Sequence, residues 1–340
     1  MSRYEVPEPI LNSPFEEPGE HWHIVEGETP RRLPGRRPAM YYYRPPSLGD
    51  AENEAGVGTA IELKLVNLVR ERVKAWREAR PEPYPGVTRT TAELLQWWRR
   101  DGRRQRLFFA QLEAAETVIF LTEARQDFRQ GMEIPTDEPS EDRKAQGYAA
   151  FKRYACKMAT GSGKTTVMGM LVAWSILNKA GNRSDPRFSE VVLAVCPNVT
   201  IRNRLRELDP REGEASLYRT RDLVPPHLMP DLAKGRVIVT NWHVFEPQMV
   251  QTGGVSARVS KAGRPEIRRE VIHIGAKSTT ARGVRYLTPE ELDRQLAAGL
   301  LSVLHEERDE QERVTRVEVQ STRYVESDGS VVARVLGREV

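Results

Sequence analysis

The chain has 340 residues, 29% charged and 39% hydrophobic, with a net charge of +4; this suits a globular protein and permits a nucleic-acid partner without arguing for one. Two cysteines, Cys156 and Cys196, are too few for a disulfide scaffold, and both lie in apolar strand-like runs, so they read as reduced core thiols. No apolar run approaches a membrane span and the N-terminus lacks a signal core, so a cytoplasmic protein with no membrane partner is expected.

Residues 1–57 carry Pro7, Pro9, Pro14, Pro18, Pro30, Pro34, Pro38, Pro45 and Pro46, which exclude long helices and predict an extended arm. His21-Trp22-His23 lacks the further ligands a metal site needs. Tyr41-Tyr42-Tyr43 can stack on bases or pack against the protein's own surface. From Gly58 to Arg80, Ile61, Leu65, Leu68, Val69 and Trp76 fall at helical spacing, and Pro81, Pro83 and Pro85 close the helix. A second helix starts after Thr90-Thr91. It leads into Arg99, Arg100, Arg103, Arg104 and Arg106, which can contact phosphates or form a solvated turn. A third helix runs from Leu107 to about Phe128 and carries Gln111, whose amide both donates and accepts. Residues 131–147 read as a polar loop.

The segment Met158-Ala-Thr160-Gly161-Ser162-Gly163-Lys164-Thr165-Thr166 follows. Gly161 and Gly163 allow a tight turn that brings backbone N–H groups to an anion. Lys164 has the reach for β- and γ-phosphates, and the Thr165 hydroxyl can ligate Mg²⁺. Tyr154–Met158 reads as a short strand entering this loop. Val167–Leu177 is apolar on nearly all sides, as a buried helix should be, and its N-terminus favours negative charge. ATP with Mg²⁺ is the expected ligand.

Beyond it, Val191–Cys196 is a continuous apolar run, the pattern of a strand buried on both faces. Pro197–Thr200 opens a helix carrying Arg202, Arg204 and Arg206. Val237–Thr240 reads as another strand, followed by Asn241-Trp242-His243. Strands alternating with helices predict a parallel α/β sheet, with ligands at the carboxyl ends of its strands. After Gln251 the stretch Thr252–Arg269 is polar and basic. Thr288-Pro-Glu-Glu291 is a capping box leading a helix through Leu301. Thr315–Val319 and Val331–Val335 flank Asp328-Gly329 and read as a hairpin.

Four segments in order, Phe108-Phe-Ala-Gln-Leu-Glu-Ala, Met158-Ala-Thr-Gly-Ser-Gly-Lys-Thr, Pro197-Asn-Val-Thr-Ile-Arg-Asn-Arg-Leu and Thr240-Asn-Trp-His-Val-Phe-Glu-Pro, resemble superfamily 2 helicases of the DEAD/DEAH type. Within them the chain is similar to the motor subunit of type III restriction enzymes and related restriction helicases. The resemblance covers about Gln105 to Pro247. It implies an α/β fold: a RecA-like P-loop lobe with a parallel sheet at 89–250, an N-terminal arm and helix at 1–88, and a mixed α+β insertion at 251–340. Thr160, Gly161, Ser162, Gly163, Lys164, Thr165 and Thr166 would hold the nucleotide, with Lys164 and Thr165 catalytic and Thr165 on Mg²⁺. Gln111 would read adenine. Thr200, Arg202, Asn241 and His243 would contact the backbone of double-stranded DNA, and a modification or specificity subunit is an implied partner.

The family also needs an Asp-Glu pair ending an apolar strand. The only Asp-Glu dipeptides, Asp137-Glu138 and Asp309-Glu310, lie in polar stretches. No counterpart of the second motor lobe or of a nuclease domain is evident. The expectation is therefore the ATP-binding N-terminal part of a DNA-dependent helicase or translocase, stopping before the acidic motif. A nucleotide-gated DNA-binding or regulatory module without motor activity is the alternative. A P-loop kinase would leave Gln111 and the Asn241-Trp-His segment without a purpose.

Overall fold

In the computed structural model, which describes residues 6, 8–25, 28–43, 59–251, 263–275, 285–298 and 301–337, the chain divides into two units. One comprises Met1–Ala194 and Asn203–Val239, the other Val195–Arg202 and Thr240–Val340.

The first unit begins with two antiparallel hairpins. Strand β1 (Glu20–His23) pairs with β2 (Arg31–Pro34), and β3 (Met40–Tyr43) pairs with β4 (Thr59–Glu62). Within its described residues the proline-rich arm is thus extended and paired in short strands, while Pro7, Pro45 and Pro46 lie outside the described residues. The helix expected from Gly58 begins later: α1 spans Lys64–Arg77, Ile61 lies in β4 opposite Tyr41, and Gly58 is outside the described residues. Val69, Val73 and Trp76 form the buried stripe of α1. Helix α2 (Arg89–Arg99) is capped by Thr88, whose side chain accepts from the Thr91 N–H. The long third helix divides into α3 (Phe109–Glu123) and α4 (Gln126–Arg129). The polar loop contains a short helix, α5 (Glu141–Ala145). Helix α6 (Lys164–Gly181) follows, then β5 (Val191–Cys196), α7 (Val199–Leu205), α8 (Leu217–Thr220), α9 (Met229–Leu232) and β6 (Arg236–Asn241).

Helices α3 and α6 are apolar around most of their circumference and form the centre of this unit. Ala115, Ile119 and Phe120 of α3, and Met170, Ala173 and Ile176 of α6, are almost fully buried. Helix α6 packs on α2, α3 and α9. Two buried carboxylates tie the helices together. Glu116 accepts from Arg77 Nε at 2.9 Å, Arg99 Nε at 2.6 Å and the Tyr84 hydroxyl at 2.9 Å. Burial, reinforced by the Glu116 charge, pushes the Tyr84 hydroxyl well above its ordinary range. Glu123 accepts from Trp174 Nε1 at 2.6 Å, Thr91 Oγ1 at 2.7 Å and the Thr88 N–H at 2.8 Å. Asn178 of α6 extends this network by donating to Thr91 Oγ1 at 2.9 Å. Each carboxylate has several donors, which is the condition for burying a charge without a large penalty.

The expected RecA-like parallel sheet is not present. Strands β5 and β6 form a parallel sheet of only two strands, and the largest sheet is a mostly antiparallel one in the second unit. Tyr154–Met158 pairs with no strand among the described residues; the isolated bridge between Asp137 and Phe151 is the nearest ladder. An apolar run specifies burial of side chains, not a hydrogen-bonding neighbour, so it cannot by itself create the ladder. Cys156 is consequently exposed, whereas Cys196 is buried; both are free thiols. Strand β5 is not buried on both faces either. Ala194 and Cys196 point inward, while Leu193 is 40% and Val195 48% exposed.

The second unit is built on a five-stranded sheet. Its order is β10 (Ser302–Arg308), β11 (Val314–Glu326), β8 (Gly263–Ile274) and β9 (Arg285–Leu287), with β7 (Met249–Gln251) also on β11. All pairs are antiparallel except β8 with β9. Val317 faces Ile272 across β11 and β8, and Val319 faces Val303 across β11 and β10. Ile272, Val317 and Val319 join Leu287, Leu292 and Leu301 in an aliphatic core. Leu292 belongs to α10 (Pro289–Ala297), which starts at the expected capping box: Thr288 and Glu291 bond reciprocally at 3.0 and 3.3 Å. The helix ends at Ala297 rather than running through Leu301.

The expected hairpin around Asp328-Gly329 is also corrected. Strand β11 runs on to Glu326, and Asp328–Leu336 is a helix, α11. Ser327 decides this, because its hydroxyl caps the helix by accepting the Ser330 N–H at 3.2 Å. An Asp-Gly pair can turn a hairpin, but it also sits well in a first helical turn. The basic stretch expected from Thr252 lies outside the described residues as far as 262, and its end, Gly263–Arg269, is part of β8. Among the described residues no helix is long and apolar enough to cross a membrane.

Candidate functional site

The glycine-rich loop lies in the first unit, where it enters α6, one of the two central helices. Gly163 is the N-cap of α6, in the left-handed conformation at φ 81°, and no side chain caps the helix. Gly161 is left-handed too, at φ 80°. These signs of φ are what glycine permits and other residues resist. The loop closes on one carbonyl. Ala159 C=O accepts from Ser162 Oγ at 2.7 Å and from Lys164 Nζ at 2.9 Å. Lys164 Nζ also reaches the Met158 carbonyl at 3.4 Å and its side chain is exposed. The ammonium therefore rests on two carbonyls that an anion could replace as its partner. Thr160 is exposed, Thr165 is half-buried in the first turn of α6, and Thr166 is buried below it.

Gln111 comes from α3 to meet this loop. It is buried, and its Nε2 donates to the Ser162 carbonyl at 3.1 Å. Its Oε1 accepts the Phe108 N–H at 2.9 Å. A Cβ placed on Gly163 would lie 2.0 Å from Gln111 Nε2. Gly163 is thus required twice, for its φ and for the approach of the amide. Both ends of the Gln111 amide are engaged by protein, so here it holds the loop to the start of α3. Sequence reasoning missed the backbone partners, because carbonyl and amide groups carry no residue-type signal. It also missed the N-terminal segment: Pro14 C=O accepts the Phe109 N–H at 2.8 Å, and Phe15 sits 5.5 Å from the Phe108 ring and 4.6 Å from the Arg106 guanidinium.

The arginine cluster before α3 is mostly tied to the protein. Arg99 bonds Glu116, and Arg100 bonds Asp222. Arg103 is buried and donates to four carbonyls, of Gln105 at 3.2 Å, Trp97 at 3.2 Å, Asp222 at 3.0 Å and Arg221 at 2.8 Å. Arg104 is exposed.

The other expected site residues lie in the second unit. Thr200 is exposed and Arg202 half-buried, both on α7. Asn198 opens that helix by accepting the Ile201 N–H at 2.9 Å. Asn241 is buried, and its Oδ1 accepts from the Cys196 thiol at 3.3 Å. His243 is exposed; its ring lies 3.8 Å from that of Trp242 and its Nδ1 3.6 Å from Glu246. The structure therefore brings the end of β5 and the end of β6 together through Cys196 and Asn241. It leaves Thr200 and His243 open to solvent.

Neither Asp-Glu dipeptide is placed as a catalytic pair. Asp137 is ion-paired with Arg153 at 2.9 Å, and Asp309 accepts the Gln311 and Arg313 N–H groups of a turn at 2.9 Å each. Among the described residues no three His, Cys, Asp or Glu side chains cluster as a metal site. No known protein family, curated protein or solved structure matches this chain.

Proposed function

We propose that Thr160–Thr166 and the N-terminus of α6 bind the phosphates of ATP. Lys164 would leave the Ala159 carbonyl for the β- and γ-phosphates, and Thr165 would hold Mg²⁺. The observation that carries this reading is the contact of Gln111 with Ser162 and Gly163. It makes the loop and α3 one assembly, fixed before any ligand arrives. On this reading the chain is the N-terminal part of a DNA-dependent helicase or translocase of a restriction-type system in the cytoplasm. ATP hydrolysis would drive movement on double-stranded DNA in the intact protein, with a modification or specificity subunit as partner. Thr200, Arg202, Asn241 and His243 would form the DNA-facing side of the second unit, with Asn241 acting through the position it gives the loop after β6.

The roles divide by chemistry. Phosphoryl transfer needs positioning and charge stabilisation, which the loop, Lys164 and the helix N-terminus supply. It also needs a group to orient water, and neither Asp-Glu pair is free for that work. This observation favours a second reading, a nucleotide-gated DNA-binding module without motor activity. The two are separated by turnover: the 340-residue chain is expected to bind Mg-ATP and hydrolyse it poorly, with or without DNA. Lys164→Ala tests the shared premise. Titration with Mg-ATP should show affinity falling by about ten- to a hundredfold, the value of a lost charge-assisted hydrogen bond. Unchanged affinity would remove the loop from the site.

A further inference from the structure

A cavity of about 560 Å³ opens beside the loop in the first unit, and nothing above gives it an occupant. Leu65 and Val69 of α1, Val118 and Leu121 of α3, Ile134 and Met158 make most of its wall apolar. Its volume lies within the range of about 300–1,000 Å³ typical of small-ligand sites. One group of charges interrupts the apolar wall. Arg36 grips Glu113 through both terminal nitrogens, one bond being 2.6 Å. Arg70, also in the wall, has no ion-pair partner among the described residues. Among the described residues, three guanidinium groups line the cavity; Arg153 is paired with Asp137, and Arg36 and Arg70 share the one carboxylate of Glu113, which leaves one positive charge uncompensated. Burial, and then the nearby Arg36, lower the Arg70 pKa, and the Glu113 charge offsets this only in part. The exposed Lys157 adds a second cation.

We infer that this cavity binds a small amphipathic anion, an aliphatic or cyclic body carrying one carboxylate. Val69, Val118 and Leu121 would cover the body and the carboxylate would sit on Arg70. A neutral apolar ligand would leave Arg70 unpaired, and an organic cation would be repelled by it. A polyphosphate needs many donors, and these walls are mainly hydrocarbon. The cavity adjoins the proposed nucleotide site, because Ala159 and Ser162 of the loop are among its lining residues while Lys164 is not, so competition between the two ligands is part of the test.

Calorimetric titration of the full chain with decanoate and with decan-1-ol tests it. Decanoate should bind saturably at one site, about tenfold more tightly than the alcohol of the same length. Arg70→Gln should weaken decanoate about tenfold and leave decan-1-ol unchanged, with the circular dichroism spectrum preserved. Val118→Trp, which fills the cavity, should abolish both. Absence of saturable decanoate binding overturns the site, as does an Arg70→Gln variant that binds both probes as the wild type does. Displacement of decanoate by ATP also overturns it, because the cavity would then be the nucleoside's own pocket. Failure of the nucleotide reading alone would show differently: Lys164→Ala would keep its ATP affinity while decanoate bound as expected.

Discussion

The two units differ in what ties their cores together. In the first, Glu116 and Glu123 sit inside the helical core with their oxygens fully engaged by arginine, tyrosine, tryptophan and threonine donors. In the second, the core is aliphatic; among the described residues, buried polar atoms without a hydrogen-bond partner occur in both units, Arg77 Nη2 and Arg129 Nε in the first and Ser321 Oγ in the second. An aliphatic core holds a sheet together but tolerates repacking. A satisfied polar network accepts only one arrangement, since any slip leaves a buried charge unpaired. The first unit is where such rigidity has a use: Gln111 reaches Ser162 only if α3 and α6 keep their relative position. The comparison implies that the loop unit is specified by polar geometry and the sheet unit by bulk burial.

The largest expected effect breaks that geometry. Glu116→Ala leaves Arg77 and Tyr84 buried without their acceptor, and should cost about 3–5 kcal/mol in urea unfolding. Nucleotide affinity should fall with it. The corresponding lesion in the second unit, Ile272→Ala, removes a fully buried side chain and should cost about 2–5 kcal/mol by loss of burial and a cavity. Mg-ATP affinity should survive this change, and a parallel loss of affinity would mean that the contrast between the units is wrong. Gly163→Ala is more local. A Cβ at positive φ costs about 1–2 kcal/mol. The new atom also displaces the Gln111 amide, so loop order should suffer beyond that figure, seen as faster amide exchange at Ser162 than in Gly161→Ala. The smallest effect is Arg202→Gln. On a half-exposed side chain it should change stability by less than about 0.5 kcal/mol. If Arg202 touches DNA phosphate, the slope of log affinity against log salt should fall by about one. An unchanged slope would take α7 out of the interface. Arg103 is the contrasting arginine, since its loss would take a donor from four carbonyls of the fold instead of altering the salt response.

Much of the local structure was legible. The Thr288 capping box, the buried helix after Lys164 and the strand at Val191–Cys196 are encoded by neighbours in sequence, and each is found. The Asp328-Gly329 turn was not, because a local pair that serves both a hairpin and a helix start is decided by the Ser327 cap. The sheet was the largest miss. Tyr154–Met158 has the composition of a strand, but a strand needs a partner and periodicity does not name one. The arginine cluster illustrates the same limit for function: five like charges read equally as a phosphate contact or a solvated turn, and only the fold shows Arg99 on Glu116, Arg100 on Asp222 and Arg103 on four carbonyls.

The sequence by itself determined the glycine-rich turn into α6, because Gly161 and Gly163 permit the left-handed φ the chain adopts there. It also placed Gln111 upstream in the order the resemblance requires. Only the tertiary structure decided what Gln111 does. Its amide bridges the Phe108 N–H and the Ser162 carbonyl, backbone groups that no residue type announces. The same holds for the sheet and the cavity beside the loop, since strand pairing and enclosed volume depend on contacts between distant segments, and those carry no local signature.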